Sequence, residues 1–547
     1  MIDFEKEVNV LSSKNRNNLF FSGVVVLTVA NLLVKVIGLL YKIPLHNLLG
    51  DEGMGYFNSA YRIYTAFYLV STGGLPIAVS IMVSRARAQG NRKEVKAIFK
   101  AAVSLFMVVG AAGTAIMAVG SNGFAALMGN EPANICILAI APTLFFICIC
   151  SAIRGYFQGY QYMLPTAISE VLESLGKFLL GIIFATYAIS KGYHLSVVAA
   201  YALLGLTLGV FIGTAYIVFH RLFFKSEEFD AEFNEVSNAS SRTTSQIIKA
   251  LFVIAIPISV SSSVMSVADA IDSVVIQRTL QSIGYTKEVA TALFGNYSTL
   301  AVSMYNMPTV LIYPISASIV PYVSSALAEN DKEKAKSVMT TSLKIASLIA
   351  IPSALGLSVL SKPILSLLFS KKESVEMADP LLSVLAIAVF FVGMLSVTNA
   401  ILQANNYERL PIISMITGAL VKIGSTFVLM RSGLEMYGAP LGTVLCYMTI
   451  AVLNFIFIAK KVGLVPDFKE VFLKPFFAAL PCALSAMGAY FLFDGFHEKV
   501  ATLIAIAVAV IVYLFAVLLF KAITKEEILM VPKGKKVYSL LNKLKLM

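Results

Sequence analysis

The sequence predicts an all-α integral membrane protein of about fourteen transmembrane helices: two pseudo-repeated six-helix lobes plus two C-terminal helices. Three observations predict it. Apolar stretches of about 20 residues, each long enough to cross a bilayer, recur along the 547-residue chain. Hydrophobic residues make up 58% and charged residues 14%, with a mean hydropathy of +0.81, a balance foreign to a soluble domain of this length. The basic residues also sort by side. With the N-terminus placed in the cytoplasm, 29 of the 43 Lys and Arg, Arg154 among them, collect on that side, in loops or near span ends, and 8 on the other, which is the positive-inside bias.

The expected spans are 19–43, 56–83, 101–120, 134–157, 165–189, 195–220, 247–277, 291–325, 338–359, 380–403, 411–430, 437–459, 472–493 and 500–522. Residues 1–18 are polar, and the first span has no small-residue cleavage pattern, so it is expected to stay as an anchor. Pro76, Pro308 and Pro314 mark expected kinks in the long spans 56–83 and 291–325. The net charge of +12 follows from loops that face anionic lipid, and no aromatic-interleaved basic stretch points to nucleic acid. Cys136, Cys148, Cys150, Cys446 and Cys482 all lie within spans and read as small core residues, with no disulfide or metal role.

The chain repeats itself. Leu75-Pro76-Ile77-Ala78-Val79-Ser80-Ile81 precedes the loop 88–96, and Tyr313-Pro314-Ile315-Ser316-Ala317-Ser318-Ile319 precedes the loop 328–336, at offsets of 238 and 240. Gln158, Pro165 and Lys177 correspond to Gln403, Pro411 and Lys422 at offsets of 245, 246 and 245. Six spans per repeat is an even number, so both halves share one orientation, as in transporters whose site lies near the midplane between repeats. The expected organisation is an N-terminal lobe over 1–220, a cytoplasmic linker over 221–246, a C-terminal lobe over 247–460, and two further spans with a basic tail over 461–547. The linker carries Glu227, Glu228, Asp230, Glu232 and the Ser/Thr run 237–245.

Six cations remain inside spans: Lys35, Lys42, Arg62, Lys177, Lys344 and Lys422. A charge in lipid is costly and faces a cavity or a partner. Lys35 and Lys42 are seven apart and share a helix face. With Arg62 on the next span they form a candidate anion site, the alternative being that Lys42 and Arg62 snorkel to the interface. Glu170, Glu173 and Lys177 share a face of the fifth span, where Glu173 and Lys177 can neutralise each other. Asp269 and Asp272 lie one turn apart on the seventh span. They either bind a proton or sodium ion or pair with Lys422 of the eleventh. These six residues are the candidate coupling or gating charges. The chain has no phosphate-binding loop, no H-E-x-x-H and no nucleophile elbow, and so no enzyme site and no metal site is expected.

The opening ANLLVKVIGLLYKIPLHNLLGDEGMGYFNSAYRIY, the stretch GLPIAVSIMVSRARAQGN, the fourteen spans and the two similar halves together resemble the multidrug/oligosaccharidyl-lipid/polysaccharide exporter (MOP) superfamily. Within it the chain is similar to the bacterial MurJ/SpoVB-type lipid II flippases of the firmicute branch. That resemblance implies a V-shaped pair of lobes around a cationic cavity. It implies pyrophosphate contacts from basic residues of the first two spans, which Lys35 and Arg62 match best, with Lys42 close by. It also implies a groove for the polyprenyl tail formed by the last two spans. Two features depart from the pattern: the eighth span has no basic residue between Phe294 and Met307, and Lys422 stands where some relatives have a carboxylate of a sodium site. The implied function is a flippase for undecaprenyl-pyrophosphate-linked peptidoglycan precursor, working by alternating access. The alternatives are an exporter of another lipid-linked oligosaccharide or a cation-coupled drug extruder. The implied partners are the polyprenyl-pyrophosphate-linked saccharide and membrane lipids. The implied state is a monomer in the bacterial cytoplasmic membrane with both termini inside. No cofactor is implied; membrane potential, H+ or Na+ supplies the drive.

Overall fold

A computed structural model of the chain describes residues 16–224, 242–328, 331–493 and 498–523. The acidic part of the expected linker (Glu227, Glu228, Asp230 and Glu232) and the basic tail beyond 523 lie outside the described residues. Among the described residues there is no strand. Among the described residues ten helices are long and apolar enough to cross a membrane. Arg409–Val462 contains two predicted spans, and Val29–Ala88 contains one and most of another. The predicted span 165–189 is the helix Leu164–Ser190, which carries three charged side chains. The predicted span 291–325 is broken into Lys287–Asn296, a π-helical turn Tyr297–Ala301, Val302–Tyr305 and Thr309–Ala328. Every predicted span therefore falls on helix, and the chain is an all-α, multi-pass membrane protein. All five cysteines are buried.

The chain divides into two compact units, Met1–Val274 and Val275–Met547. In the first, the helical run Arg16–Thr72 carries spans one and two, with a break at Gly50, whose φ of 68° lies in the left-handed region that glycine tolerates. Buried His46 braces this break, its Nε2 lying 2.8 Å from Asp51 Oδ1. The second span breaks at Gly73–Gly74, ahead of Pro76. Pro76 then sits in the first turn of the helix Leu75–Ala88, where its missing N–H removes no helical bond. The Gly74 N–H donates to Ser259 Oγ at 2.9 Å, which ties the bend to the helix Thr244–Ser282. In the second unit, Pro308 does stand at a helix break, whereas Thr309–Ala328 runs on through Pro314.

The sequence repeat survives as geometry. Asn91 caps the helix Arg92–Val119 by accepting from Glu94 N at 3.0 Å, and Asp331, 240 residues later, caps Lys332–Val359 by accepting from Lys334 N at 2.9 Å. Outside the repeat, the last two spans are fastened to Lys332–Val359. Lys344, buried within that helix, has its Nζ 3.8 Å from Glu470 Oε2, and Glu470 also pairs with Lys474 at the start of Lys474–Leu492. The Tyr513 hydroxyl, on Glu498–Leu519, donates to the Leu348 carbonyl at 2.6 Å. One of the six intramembrane cations is thus accounted for by a structural ion pair.

The position of the fifth span is set by the sixth. The helix Leu195–Phe223 presents Gly205, Gly209 and Gly213, four residues apart, to Leu164–Ser190. Small residues at this spacing let two membrane helices touch backbone to backbone. A Cβ at Gly209 would lie 2.4 Å from the backbone nitrogen of Lys177 and 2.8 Å from the carbonyl oxygen of Glu173. Gly209→Ala should therefore force the charged helix away, at a cost of about 1–3 kcal/mol. A lowered melting temperature in detergent checks this. Gly488→Ala, where nothing lies within 4 Å, should leave melting unchanged.

Candidate functional site

The candidate residues of the first unit lie on four helical segments: the Arg16–Thr72 run, Asn134–Gly159, Leu164–Ser190 and the part of Thr244–Ser282 up to Val274. The second span places Phe57, Tyr61, Tyr64 and Tyr68 at spacings of four, three and four, which is one helix face. Their rings form a ladder: Phe57 stacks on Tyr61 at 6.0 Å, Tyr61 lies 5.9 Å from Tyr64, and Tyr64 stacks on Tyr68 at 5.9 Å. Tyr41 of the first span closes against Phe57 and against Phe178 of the fifth.

Lys177 lies beside this ladder, and Lys42 and Arg62 are within electrostatic reach of one another nearby. Lys177 Nζ lies 5.1 Å from the centre of the Tyr61 ring and 5.4 Å from that of Tyr41, within cation–π range of both. Among the described residues Lys177 makes no ion pair. Lys42 is near enough to both Lys177 and Arg62 to be repelled by their charges. Arg62 Nη1 lies 2.9 Å from Asp269 Oδ2, both side chains about a quarter exposed (23% and 28%). Lys35 projects from the first span seven residues before Lys42 and is exposed. It sits level with the contact in which Ser174 Oγ donates to the Val34 carbonyl at 3.4 Å.

One sequence expectation changes here, and one carboxylate has a partner that was not expected. Glu173 does not pair with Lys177. Its Oε2 accepts from Arg154 Nη2 at 3.1 Å, while Arg154 Nη1 lies 4.0 Å from Glu170 Oε1. Arg154 Nε donates to Ser169 Oγ at 2.9 Å, and that hydroxyl donates on to the Thr166 carbonyl at 2.8 Å. Arg154 was counted as a loop residue, yet it is a buried part of the helix Asn134–Gly159. The physical reason is reach and shape: two carboxylates one turn apart match the planar fork of a guanidinium better than they match one ammonium. The signal was in the sequence. Glu170, Glu173 and Lys177 leave one excess negative charge on a span, and a neighbouring span has to balance it.

The unexpected partner belongs to Asp269. Its carboxylate lies against Arg62, so an ion pair joins the second and seventh spans. Asp272 is buried one turn further on. Lys422 is buried on the helix Arg409–Leu429 of the second unit.

The result is a cluster of ammonium and guanidinium groups along an aromatic wall, with one carboxylate in contact with Arg62. Such a cluster is suited to a polyanion, because charge-assisted contacts to phosphate oxygens are strong and directional. Exchanging the charges of the Arg62–Asp269 pair separates its structural role from ligand binding. Arg62→Asp and Asp269→Arg should each lower stability by about 1–3 kcal/mol, as expected for a partly buried pair losing one partner. The double exchange should restore melting while leaving transport abolished. Recovery of transport in the double variant would show that the pair serves the fold alone.

A family model described as a polysaccharide biosynthesis protein matches residues 20–327, more than half the chain, and a MatE model matches residues 257–428. Stage V sporulation protein B of Bacillus subtilis (strain 168) is 24% identical over 517 residues, covering 94% of this chain and 98% of that protein. The lipid II flippase MurJ of the same organism is 24% identical over 456 residues, covering 81% of this chain and 82% of that one. A solved structure of a lipid II flippase MurJ in an inward closed conformation superposes with a TM-score of 0.66 at 16% identity, covering 91% of this chain and 98% of that chain.

Proposed function

This chain belongs to the polysaccharide biosynthesis protein family and is a MurJ/SpoVB-like member of the MOP superfamily, and on that premise we propose that it is a flippase for a lipid-linked saccharide carried on pyrophosphate. The substrate in this reading is the undecaprenyl-pyrophosphate-linked peptidoglycan precursor. The placement of Lys177 on the rings of Tyr61 and Tyr41, with Lys42 within electrostatic reach of both Lys177 and Arg62, is the observation that carries it. A polyprenyl tail can stay in lipid throughout, but the pyrophosphate head must pass through a medium in which an uncompensated charge costs many kcal/mol. Fixed cations along the path replace the water that the phosphates give up. Lys35, further along the same helix, extends the cationic track. The tyrosine ladder gives the saccharide an aromatic face to lie against. The two halves of the chain act as the lobes that rock between inward- and outward-open states, and the last two spans hold the tail. Membrane potential, H+ or Na+ drives the cycle.

An exporter of another lipid-linked oligosaccharide would use the same cations, and the saccharide distinguishes the two. A drug extruder that takes up organic cations fits poorly with three cations at one wall.

Two tests follow. Lys177→Met and Lys42→Met should each weaken binding of undecaprenyl pyrophosphate to the purified protein by about 10-fold or more, the worth of one charge-assisted hydrogen bond. The same variants should fail to support growth of a strain depleted of its own lipid II flippase. Wild-type growth with both variants overturns the reading. For orientation, the proposal places both termini in the cytoplasm. Single cysteines at Asn122 and Lys191 should then react with an impermeant thiol reagent in whole cells, and cysteines at Gln89 and Lys461 only after permeabilisation. The reverse pattern overturns the orientation.

A further inference from the structure

We infer that Arg154 is a positioning residue for the anion site: by holding the Glu173 carboxylate it keeps Lys177 from being neutralised within its own helix, and so leaves Lys177 to the anionic ligand. The inference rests on the reading of Lys42, Arg62 and Lys177 as a pyrophosphate site.

A glutamate four residues before a lysine is the favourable order for an ion pair along a helix. In a low-dielectric setting such a pair would form readily and would take Lys177 out of use. The structure shows the other outcome. Glu173 Oε2 is 3.1 Å from Arg154 Nη2. The Ser169 hydroxyl, 2.9 Å from Arg154 Nε, fixes the orientation of the guanidinium. Lys177 is turned onto Tyr61 and Tyr41 instead.

The internal repeat supplies an independent observation. At the offset of 245 that relates Lys177 to Lys422, Arg154 corresponds to Asn399, Ser169 to Ser414, Glu173 to Gly418 and Gly209 to Asn454. In the second unit the matching helices are tied by neutral groups. Asn454 Oδ1 accepts from Ser414 Oγ at 2.6 Å, and its Nδ2 donates to Thr398 Oγ1 at 3.0 Å and to Asn399 Oδ1 at 2.8 Å. A bundle of this design is therefore held together without an arginine or a glutamate. The lysine is kept in both halves, while the glutamate four residues before it and the arginine that engages it are present together in one half and absent together from the other. If the arginine served only to join helices, the amide network would suffice in both. Its presence where the glutamate is present assigns it to that glutamate.

The test uses the full-length protein in nanodiscs with undecaprenyl pyrophosphate as the probe. It reads binding, not transport, because Glu173 is also a coupling candidate. Wild type should bind, and Lys177→Met should bind at least about 10-fold more weakly. Arg154→Gln should weaken binding to a similar degree, since Glu173 then turns to Lys177. Adding Glu173→Gln to Arg154→Gln should restore binding to within a factor of about two or three of wild type, a rescue that a purely structural role of Arg154 does not predict. The double variant Arg154→Asn/Glu173→Gly, which copies the second half, should also bind as wild type does, and it decides the matter if Arg154→Gln does not fold. If wild type does not bind, or Lys177→Met binds as wild type does, the pyrophosphate reading itself fails. If wild type and Lys177→Met behave as expected but Arg154→Gln binds normally, or neither double variant regains binding while melting normally, the role assigned to Arg154 is overturned.

Discussion

A charge in the membrane interior has to be answered by a partner, and the first unit is arranged around how its charges are answered. Two carboxylates of the fifth span converge on the guanidinium of Arg154, and the carboxylate of Asp269 reaches Arg62. The two ion pairs do different things. Arg154 is buried, and a serine fixes its remaining N–H direction, so its pair is closed. Arg62 and Asp269 are both part-exposed, so their pair is less enclosed. Lys177, next to both, has aromatic rings for company, an interaction that is worth less than a carboxylate and is more readily given up.

This division depends on backbone placement as much as on charge. The glycines of the sixth span bring it against the fifth, so that the backbone at Glu173 and Lys177 is in contact with that of Gly209. On the other side, Ser174 and Phe178 meet Val34 and Tyr41 of the first span. The fifth helix is thereby gripped on two sides, and its charged residues have a fixed depth. The break at Gly73–Gly74 sets the end of the tyrosine ladder, because the helix that resumes at Leu75 starts in a new direction with its own contacts to Thr244–Ser282.

Hydropathy and basic-residue counting were enough to find all the spans, because bilayer thickness alone fixes the length of an apolar run. The repeat was legible down to the loops, and the cap residues Asn91 and Asp331 show why: both do the same local chemistry for the corresponding helices of the two repeats. Site membership was partly legible. Lys42, Arg62 and Lys177 stood out as charges within apolar runs; Lys177 lies against Tyr61 and Tyr41, and Arg62 meets Asp269. The partners were not legible. Helical periodicity gives the face on which a side chain lies, but not which neighbouring helix that face meets. Glu173 was assigned to the lysine on its own helix, and Arg154, close to a span end, was counted with the loops. Lys344 was set aside as intramembrane for the same reason: its partner Glu470 lies outside the repeat, where no internal comparison reaches. The kink at Gly73–Gly74 was attributed to Pro76 because proline is the usual breaker. A glycine pair seated against another helix is visible only once that helix is in place.

The tyrosine ladder has an optical consequence. The chain has no tryptophan, so nothing in it drains tyrosine excitation or emits at longer wavelength. A single indole put in place of Tyr64, which is buried between Tyr61 and Tyr68, would be the only long-wavelength emitter in 547 residues. Its colour and lifetime would report hydration at the cationic wall with no attached dye. A chain that uses tyrosine and no tryptophan is silent at indole wavelengths everywhere except where a reporter is chosen to stand.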